Sequence, residues 1–373
     1  MTMTNVAAVE TRNTFDFLRA FAAVSVLFAH SNYSLATNAG WGAWELVDGV
    51  SMFFIMSGMF VFMSAEKTWD RTGGWRDFYL NRYLRIAPAI YSFAIFAPLI
   101  LVAFGTIGLT ALIDPQMVVW LGSSFVFLPN FDPSIWSGVG TGVLNGPLYT
   151  IPAEVSFYLI VPLLVLAAKR FGFWKMMSVM IAISLCGAYF ANQGNDLTRA
   201  LLHHTFIERA GCFSAGIILA RYGRLIPLRW WAFILALLAY VLLETLGKST
   251  FIYGAFKSVL VSIPLAYLTI CVGYKGPRSL ERVTRNLGDL SFGTYVWHST
   301  VINIFLWFGF EGQRWSTIGV FASTLAVAFA SWHLVEKNAL KLKRVSLRGR
   351  GDDDANGASR NSSRMLSFPR KHS

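Results

Sequence analysis

The sequence predicts an all-α integral membrane protein with about ten transmembrane helices and both termini in the cytoplasm, and three observations predict it. Of 373 residues, 55% are hydrophobic and only 14% are charged. Mean hydropathy is +0.50, too apolar for a soluble domain of this length. Apolar windows recur along the chain, each near the roughly 20 helical residues needed to cross about 30 Å of hydrocarbon. The basic residues fall in alternate connections instead of spreading evenly.

The windows lie near 15–36, 46–66, 87–110, 147–168, 171–191, 201–221, 227–246, 251–273, 287–309 and 315–336. With the N-terminus inside, the cytoplasmic segments hold 26 of the 32 Lys and Arg residues, and the outside loops hold only Arg199, Lys248 and Arg314. That bias is what the positive-inside rule produces for an even number of spans. It also accounts for the net charge of +12 without nucleic acid, since the basic clusters form no domain that would follow a phosphate backbone.

Residues 1–14 read as a short cytoplasmic segment. The first apolar stretch has no small-residue cleavage site, so it is expected to stay as a membrane helix. That first span, "RAFAAVSVLFAH", carries Arg19 and His30 at its two ends. Eleven residues on a helix are about 16 Å of rise and return to within about 20° of the same azimuth, so the two share a face. Ionisable groups inside a span usually face the bundle interior or a wet cavity. The blander alternative is an Arg19 paired to Asp16 three residues earlier and a His30 at an outer helix end.

"FYLNRYLRIAP" places Arg82 and Arg85 at i,i+3, on one side of a helix just before the third span. Arginine forks bind phosphate well, and ordinary positive-inside charge is the competing reading. The outside loop of about 111–146 lacks Lys and Arg and holds Trp120, Trp136, Asp114, Asp132 and "SGVGTGVLNGP". It reads as a flexible or re-entrant loop over an outward-facing site, with its tryptophans either stacking on sugar rings or anchoring at the interface.

The fourth span opens with "GPLYTIPAEVSFYLIVP" and carries Glu154. A carboxylate there would orient a histidine or pair with Arg209 or Lys257, because burying it alone costs several kcal/mol by about the usual desolvation scale. Glu208 and Arg209 are adjacent and expected to find separate partners. His203 and His204 lack a carboxylate at ligand spacing and read as solvated, not metal-binding. Cys186, Cys212 and Cys271 have neither CxxC nor His spacing, so no disulfide framework or metal site is indicated and all three read as small core residues. His298, in the ninth span, reads as site-lining or structural, and His333 and Glu336 as interfacial. Residues 345–373 are Gly/Ser-rich and polar, too poor in apolar groups to pack.

Taken together, "FDFLRAFAAVSVLFAH", "GVSMFFIMSG", "RYLRIAP", "LYTIPAEVSFYLIVP", "LGDLSFGTYVWHS" and "VEKNALKLKR" resemble, in order, the motifs of the membrane-bound acyltransferase 3 family, bacterial enzymes that O-acylate cell-surface and secreted glycans. The resemblance implies a membrane domain over residues 15–344 in the bacterial inner membrane. It implies acetyl-CoA as acyl donor, a glycan or lipid-linked saccharide as acceptor, and no metal. It makes His30 the catalytic histidine, with Arg19 and Glu154 in the active site, Arg82 and Arg85 as acyl-CoA contacts, and Tyr149, His298 and Ser57 lining the site. The sequence departs from the family at Ser51, where an acidic residue is common and Asp48 lies three residues upstream, and at Tyr149, which replaces a tryptophan. With no hydrolase-type domain following, transfer is expected to be completed by the membrane domain or by another protein. A transporter or flippase that makes no bond is the rival reading of the same intramembrane charges.

Overall fold

The computed structural model describes residues 14–37, 41–129, 133–193, 195, 198, 202, 204–246, 251–287 and 289–341. The N-terminal segment before Thr14, the tail at 345–373, and Asp132, Arg199, His203, Lys248 and the Lys257 side chain lie outside what is described. Twelve α-helices order the described residues, with no strand among them. They are α1 Thr14–Leu35, α2 Gly49–Thr72, α3 Arg76–Ala103, α4 Pro115–Phe125, α5 Thr150–Phe171 and α6 Phe173–Gln193. They continue as α7 Phe206–Tyr222, α8 Trp230–Leu246, α9 Phe251–Lys275, α10 Arg278–Leu287, α11 Ser291–Trp307 and α12 Ser316–Ser331.

Each of the ten apolar windows falls on a helix, and α4 and α10 are the additions. Among the described residues, five stretches are long and apolar enough to cross a membrane: Ala43–Thr72, Arg76–Ala103, Gly146–Phe171, Phe173–Phe190 and Ser316–Lys341. The others are short or polar for a reason. α7 and α11 have 17 residues each, and α1 carries Asp16, Arg19 and His30. A helix surrounded by other helices needs less apolar surface than one facing lipid.

Local chemistry sets the ends. Asp48 caps α2, its carboxylate accepting from the Ser51 N–H at 2.9 Å and from the Ser51 hydroxyl at 2.6 Å. Gly73 closes that helix at φ 63°, its N–H donating to the Trp69 carbonyl, a left-handed position that glycine takes without a Cβ clash. Asp114 caps α4 ahead of Pro115, the residue favoured at a first helical position because its missing N–H would have no partner there. α12 runs through a π turn at Trp332–Glu336 and continues to Lys341.

The bundle is centred on α2, which crosses α7 at close range. A Cβ on Gly58 would sit 2.2 Å from the Phe213 carbonyl, and one on Gly216 would sit 2.1 Å from that of Ile55. Small residues at a crossing let two backbones approach, the packing mode available when lipid supplies no hydrophobic drive between helices. Phe157 of α5 stacks on Phe213 of α7 at 3.7 Å. α1 lies along α2, α10 and α11, and α11 is sandwiched between α1 and α12.

The connection before α5 is an anchored plug, not a free loop. Asn303 of α11, fully buried, donates to the Val143 carbonyl at 2.8 Å and accepts from the Thr141 N–H at 3.0 Å. Gly140, at φ 50°, passes so close that a Cβ would meet the Asn303 oxygen at 2.4 Å. Asn145 reaches back to donate to the Val296 carbonyl. Trp120 and Trp136 are both fully buried, edge to face at 5.3 Å. They therefore neither stack on an outside sugar nor anchor at the interface: aromatic area of that size gains more by filling the core beneath the plug.

Candidate active site

A cavity of about 550 Å³ opens among α1, α2, α3, α5 and α11. Its polar lining comes from Arg19, Ser57, Asn81, Arg82, Arg85, Thr150, Glu154, Tyr158, Asp289, Ser291 and Tyr295, and its apolar lining includes Phe53, Phe54, Phe60 and Phe292. Five of the eight residues singled out from the sequence, Arg19, Ser57, Arg82, Arg85 and Glu154, thus share one wall-to-wall space, although they come from four helices.

At the end lined by α3, the two arginines of "RYLRIAP" differ. α3 begins at Arg76, so both sit on the same continuous helix as the third apolar window instead of ahead of it. Arg85 is held by Asp289 at 2.7 Å, and Asp289 also accepts from the Ser291 hydroxyl at 2.5 Å. Arg82 makes no ion pair among the described residues, and its buried Nε has no hydrogen-bond partner. Its guanidinium lies 6.0 Å from the Phe78 ring and 5.8 Å from the Tyr158 ring. Arg19 donates to Asp16 at 2.8 Å and lies over the Phe60 ring at 4.9 Å, so it is both paired and cavity-lining.

Glu154 accepts from the Tyr158 hydroxyl one turn further along α5. The sequence reading that it orients His30, or pairs with Arg209, is not what the structure places: the carboxylate points into the cavity, and a phenol on its own helix takes the bond. Arg209 instead donates to the Tyr149 hydroxyl at 3.0 Å. It also comes within 3.7 Å of Glu208, so these neighbours do meet, long side chains reaching around the helix where their Cβ atoms diverge. Tyr149 is therefore beside the cavity's lining and not in it.

The cavity closes at Thr150 and Tyr295. The Tyr295 hydroxyl donates to the Pro147 carbonyl at 2.6 Å, which leaves its oxygen to accept from the Thr150 hydroxyl at 2.7 Å. One turn beyond Tyr295 on α11 stands His298, fully buried. Its Nε2 is 2.9 Å from Nδ1 of His30 on α1, and its Nδ1 is 2.7 Å from the Tyr295 carbonyl. The two ring planes differ by only 8°, with centroids 5.2 Å apart. Nitrogens so much closer than centroids put the contact at the ring edges, in line for a hydrogen bond.

Two further readings change. Glu336 is buried, not interfacial, its carboxylate accepting from Ser331 at 2.9 Å across the π turn. Cys186 is exposed on its helix, unlike buried Cys212 and Cys271. The sequence reading also missed Asp289, Tyr158 and Tyr295 as lining residues. Tyr158 and Tyr295 each had a signal, lying four residues after Glu154 and three before His298 on the same helix face. Asp289 had only the oddity of a carboxylate next to a basic segment.

A family model described as an acyltransferase domain matches residues 12–333. The chain is 28% identical over 369 residues to nodulation protein 10 of Rhizobium leguminosarum bv. viciae, an alignment that covers 91% of this chain and 96% of that one. It is 25% identical over 356 residues to a putative peptidoglycan O-acetyltransferase of Bacillus subtilis, covering 86% of this chain. It is 22% identical over 359 residues to a peptidoglycan O-acetyltransferase of Listeria monocytogenes, again covering 86% of this chain. The chain spans 54% of the length of each of these two. No solved structure matches it.

Proposed function

The chain belongs to the acyltransferase domain family, whose model spans residues 12–333, and on that premise we propose that it transfers an acetyl group from cytoplasmic acetyl-CoA to a hydroxyl of a cell-surface or secreted glycan. In this reading residues 15–344 form one membrane domain of ten spans in the bacterial inner membrane, with both termini in the cytoplasm. The observation that carries it is the cavity, which gathers Arg19, Arg82, Arg85 and Glu154 and ends one helical turn short of the His30–His298 contact.

The residues present suit such a donor. A space of about 550 Å³ is within the range of roughly 300–1,000 Å³ that holds a drug-sized molecule. That is room for an acyl-pantetheine arm, with the phosphates left at the α3 end. Arg82, with a donor unspent, supplies a fork suited to phosphate oxygens. The phenylalanines at 53, 54 and 60 give the arm an apolar wall.

His30 takes the proton of the acceptor hydroxyl as its oxygen attacks the thioester carbonyl. The carbon–sulfur bond breaks, and the proton passes to the departing thiolate. Acyl transfer through an N-acyl-His30 intermediate uses the same groups in two steps. Tyr295 and Thr150 stand between the arm and His30, so their hydroxyls border the path of the thioester. The likeness to O-acetyltransferases at 25% and 22% identity supports acetyl over other acyl groups and a glycan as acceptor.

The test is the ester content of surface and secreted glycans from cells expressing the wild type or His30→Ala, with membrane levels matched by blot. Loss of one acetyl ester in the variant is the expected result. Full acetylation by a normally inserted His30→Ala protein overturns the assignment, and substrate movement without acetyl-CoA consumption favours a transporter.

A further inference from the structure

We propose that His298 is a positioning residue that fixes the tautomer of His30, so that Nε2 of His30 is the nitrogen that accepts the hydroxyl proton. This rests on the reading of His30 as the catalytic histidine.

The argument starts from the one partner whose role is unambiguous. A backbone carbonyl only accepts, so the 2.7 Å contact between His298 Nδ1 and the Tyr295 carbonyl requires a hydrogen on His298 Nδ1. A neutral His298 then has a bare lone pair on Nε2. That lone pair faces His30 Nδ1 at 2.9 Å, so the hydrogen between the rings belongs to His30. His30 is therefore the Nδ1–H tautomer, and its Nε2 is left unprotonated. The opposite tautomer would set two lone pairs against each other at 2.9 Å inside the bundle, where the low dielectric leaves that repulsion strong.

Neither ring has a carboxylate partner among the described residues, so nothing nearby favours an extra proton on His298. His298 itself is fully enclosed and cannot swivel to solvent. His30 is only partly buried and makes no second hydrogen bond among the described residues, which leaves Nε2 available. The near-coplanar rings also hold the His30 imidazole against rotation. When His30 takes a proton during transfer, its Nδ1–H continues to donate to His298, and the charge is stabilised by that acceptor. In this arrangement His298 takes the part that the sequence reading gave to Glu154.

The experiment compares His298→Gln, His298→Asn and His298→Leu with His30→Ala in inverted membrane vesicles, using labelled acetyl-CoA as donor and the vesicles' own glycan as acceptor. A glutamine amide oxygen reaches the place of Nε2 and accepts from His30, while an asparagine amide occupies the place of Nδ1 and keeps only the contact to Tyr295. Glutamine is expected to retain transfer within a few-fold. Asparagine and leucine are expected to lower kcat by about 10²-fold, the scale of a lost acid–base arrangement, with KM for acetyl-CoA unchanged. Asparagine performing as well as glutamine, or leucine as well as histidine, overturns the positioning role while leaving His30→Ala to report separately on the function itself.

A second measurement needs no variant at position 298. In ¹⁵N-histidine spectra of the wild type in lipid nanodiscs, assigned by loss of signals in His30→Ala, the His30 Nδ1 is expected as protonated and Nε2 as bare. The reverse pattern overturns the proposal.

Discussion

The two ends of the site are built on opposite principles. At the arginine end, charges from α1, α3 and the segment just ahead of α11 neutralise one another in ion pairs, and one cation, Arg82, is left without a pair among the described residues. At the histidine end no ion pair reaches either ring among the described residues: two imidazoles and a backbone carbonyl form a chain of hydrogen bonds. The difference teaches how a membrane protein apportions polarity. On the proposed reading, fixed charge is kept where an anionic ligand would be held, and the reacting group is kept in a neutral network that gains charge only during reaction.

The contrast breaks most severely at His30. On the proposed reading His30→Ala removes the group that takes the hydroxyl proton, and transfer is expected to fall by about 10³-fold, within the 10²–10⁴ typical of a positioned acid–base group. Acetyl ester per unit of membrane protein reads it. A fall of under tenfold would mean that the neutral chain is structural and that the chemistry lies elsewhere.

The next largest effect separates the two arginines. Arg85→Ala strands Asp289, about a quarter exposed, without its cation, and is expected to lower stability by about 2–3 kcal/mol, less than the 3–5 of a fully buried pair. Thermal unfolding in detergent checks it, and Arg85→Met combined with Asp289→Leu is expected to recover most of the loss. Arg82→Ala breaks no ion pair, so the expectation inverts: unchanged melting and a KM for acetyl-CoA raised by about 10- to 100-fold, the worth of one charge-assisted contact of about 1.5–3 kcal/mol. Equal behaviour of the two variants would erase the division of labour between them.

The two ends also differ in how far they were legible. Arg19 and Glu154 stand out in sequence because charge inside an apolar window has few explanations, Arg82 and Arg85 because they pair at i,i+3 just ahead of one, and the helix period alone predicts which face each occupies. Which charge meets which is another matter. Asp289 finds Arg85 across 204 residues of chain, and His30 finds His298 across 268. No periodicity reaches that far. Glu154 was the natural candidate to orient His30 because carboxylates commonly do so, yet a tyrosine on its own helix satisfies it at closer range. Trp120 and Trp136 misled in the same way: a connection without Lys or Arg does not distinguish a loop tip from a packed plug. The plug is revealed by contacts such as those of Asn303, whose side chain meets three backbone groups between Thr141 and Leu144.

The smallest effect sharpens the comparison at a third carboxylate. Asp48 stands where an acidic residue is displaced from the family pattern, so a catalytic role would put charge near the histidine end and blur the contrast. The structure gives it other work: both of its oxygens are engaged by Ser51, which holds the first turn of α2, and its own N–H donates to Tyr240 at 2.8 Å. A cap needs an acceptor and not a charge, since asparagine serves as well as aspartate at that position. Asp48→Asn is therefore expected to leave both melting and acetyl transfer near wild type, while Asp48→Ala lowers stability by about 1 kcal/mol with transfer per folded molecule unchanged. Loss of transfer in the asparagine variant at normal melting would show that the negative charge itself is used, and the outer half of the site would then have to be counted as charged like the inner one.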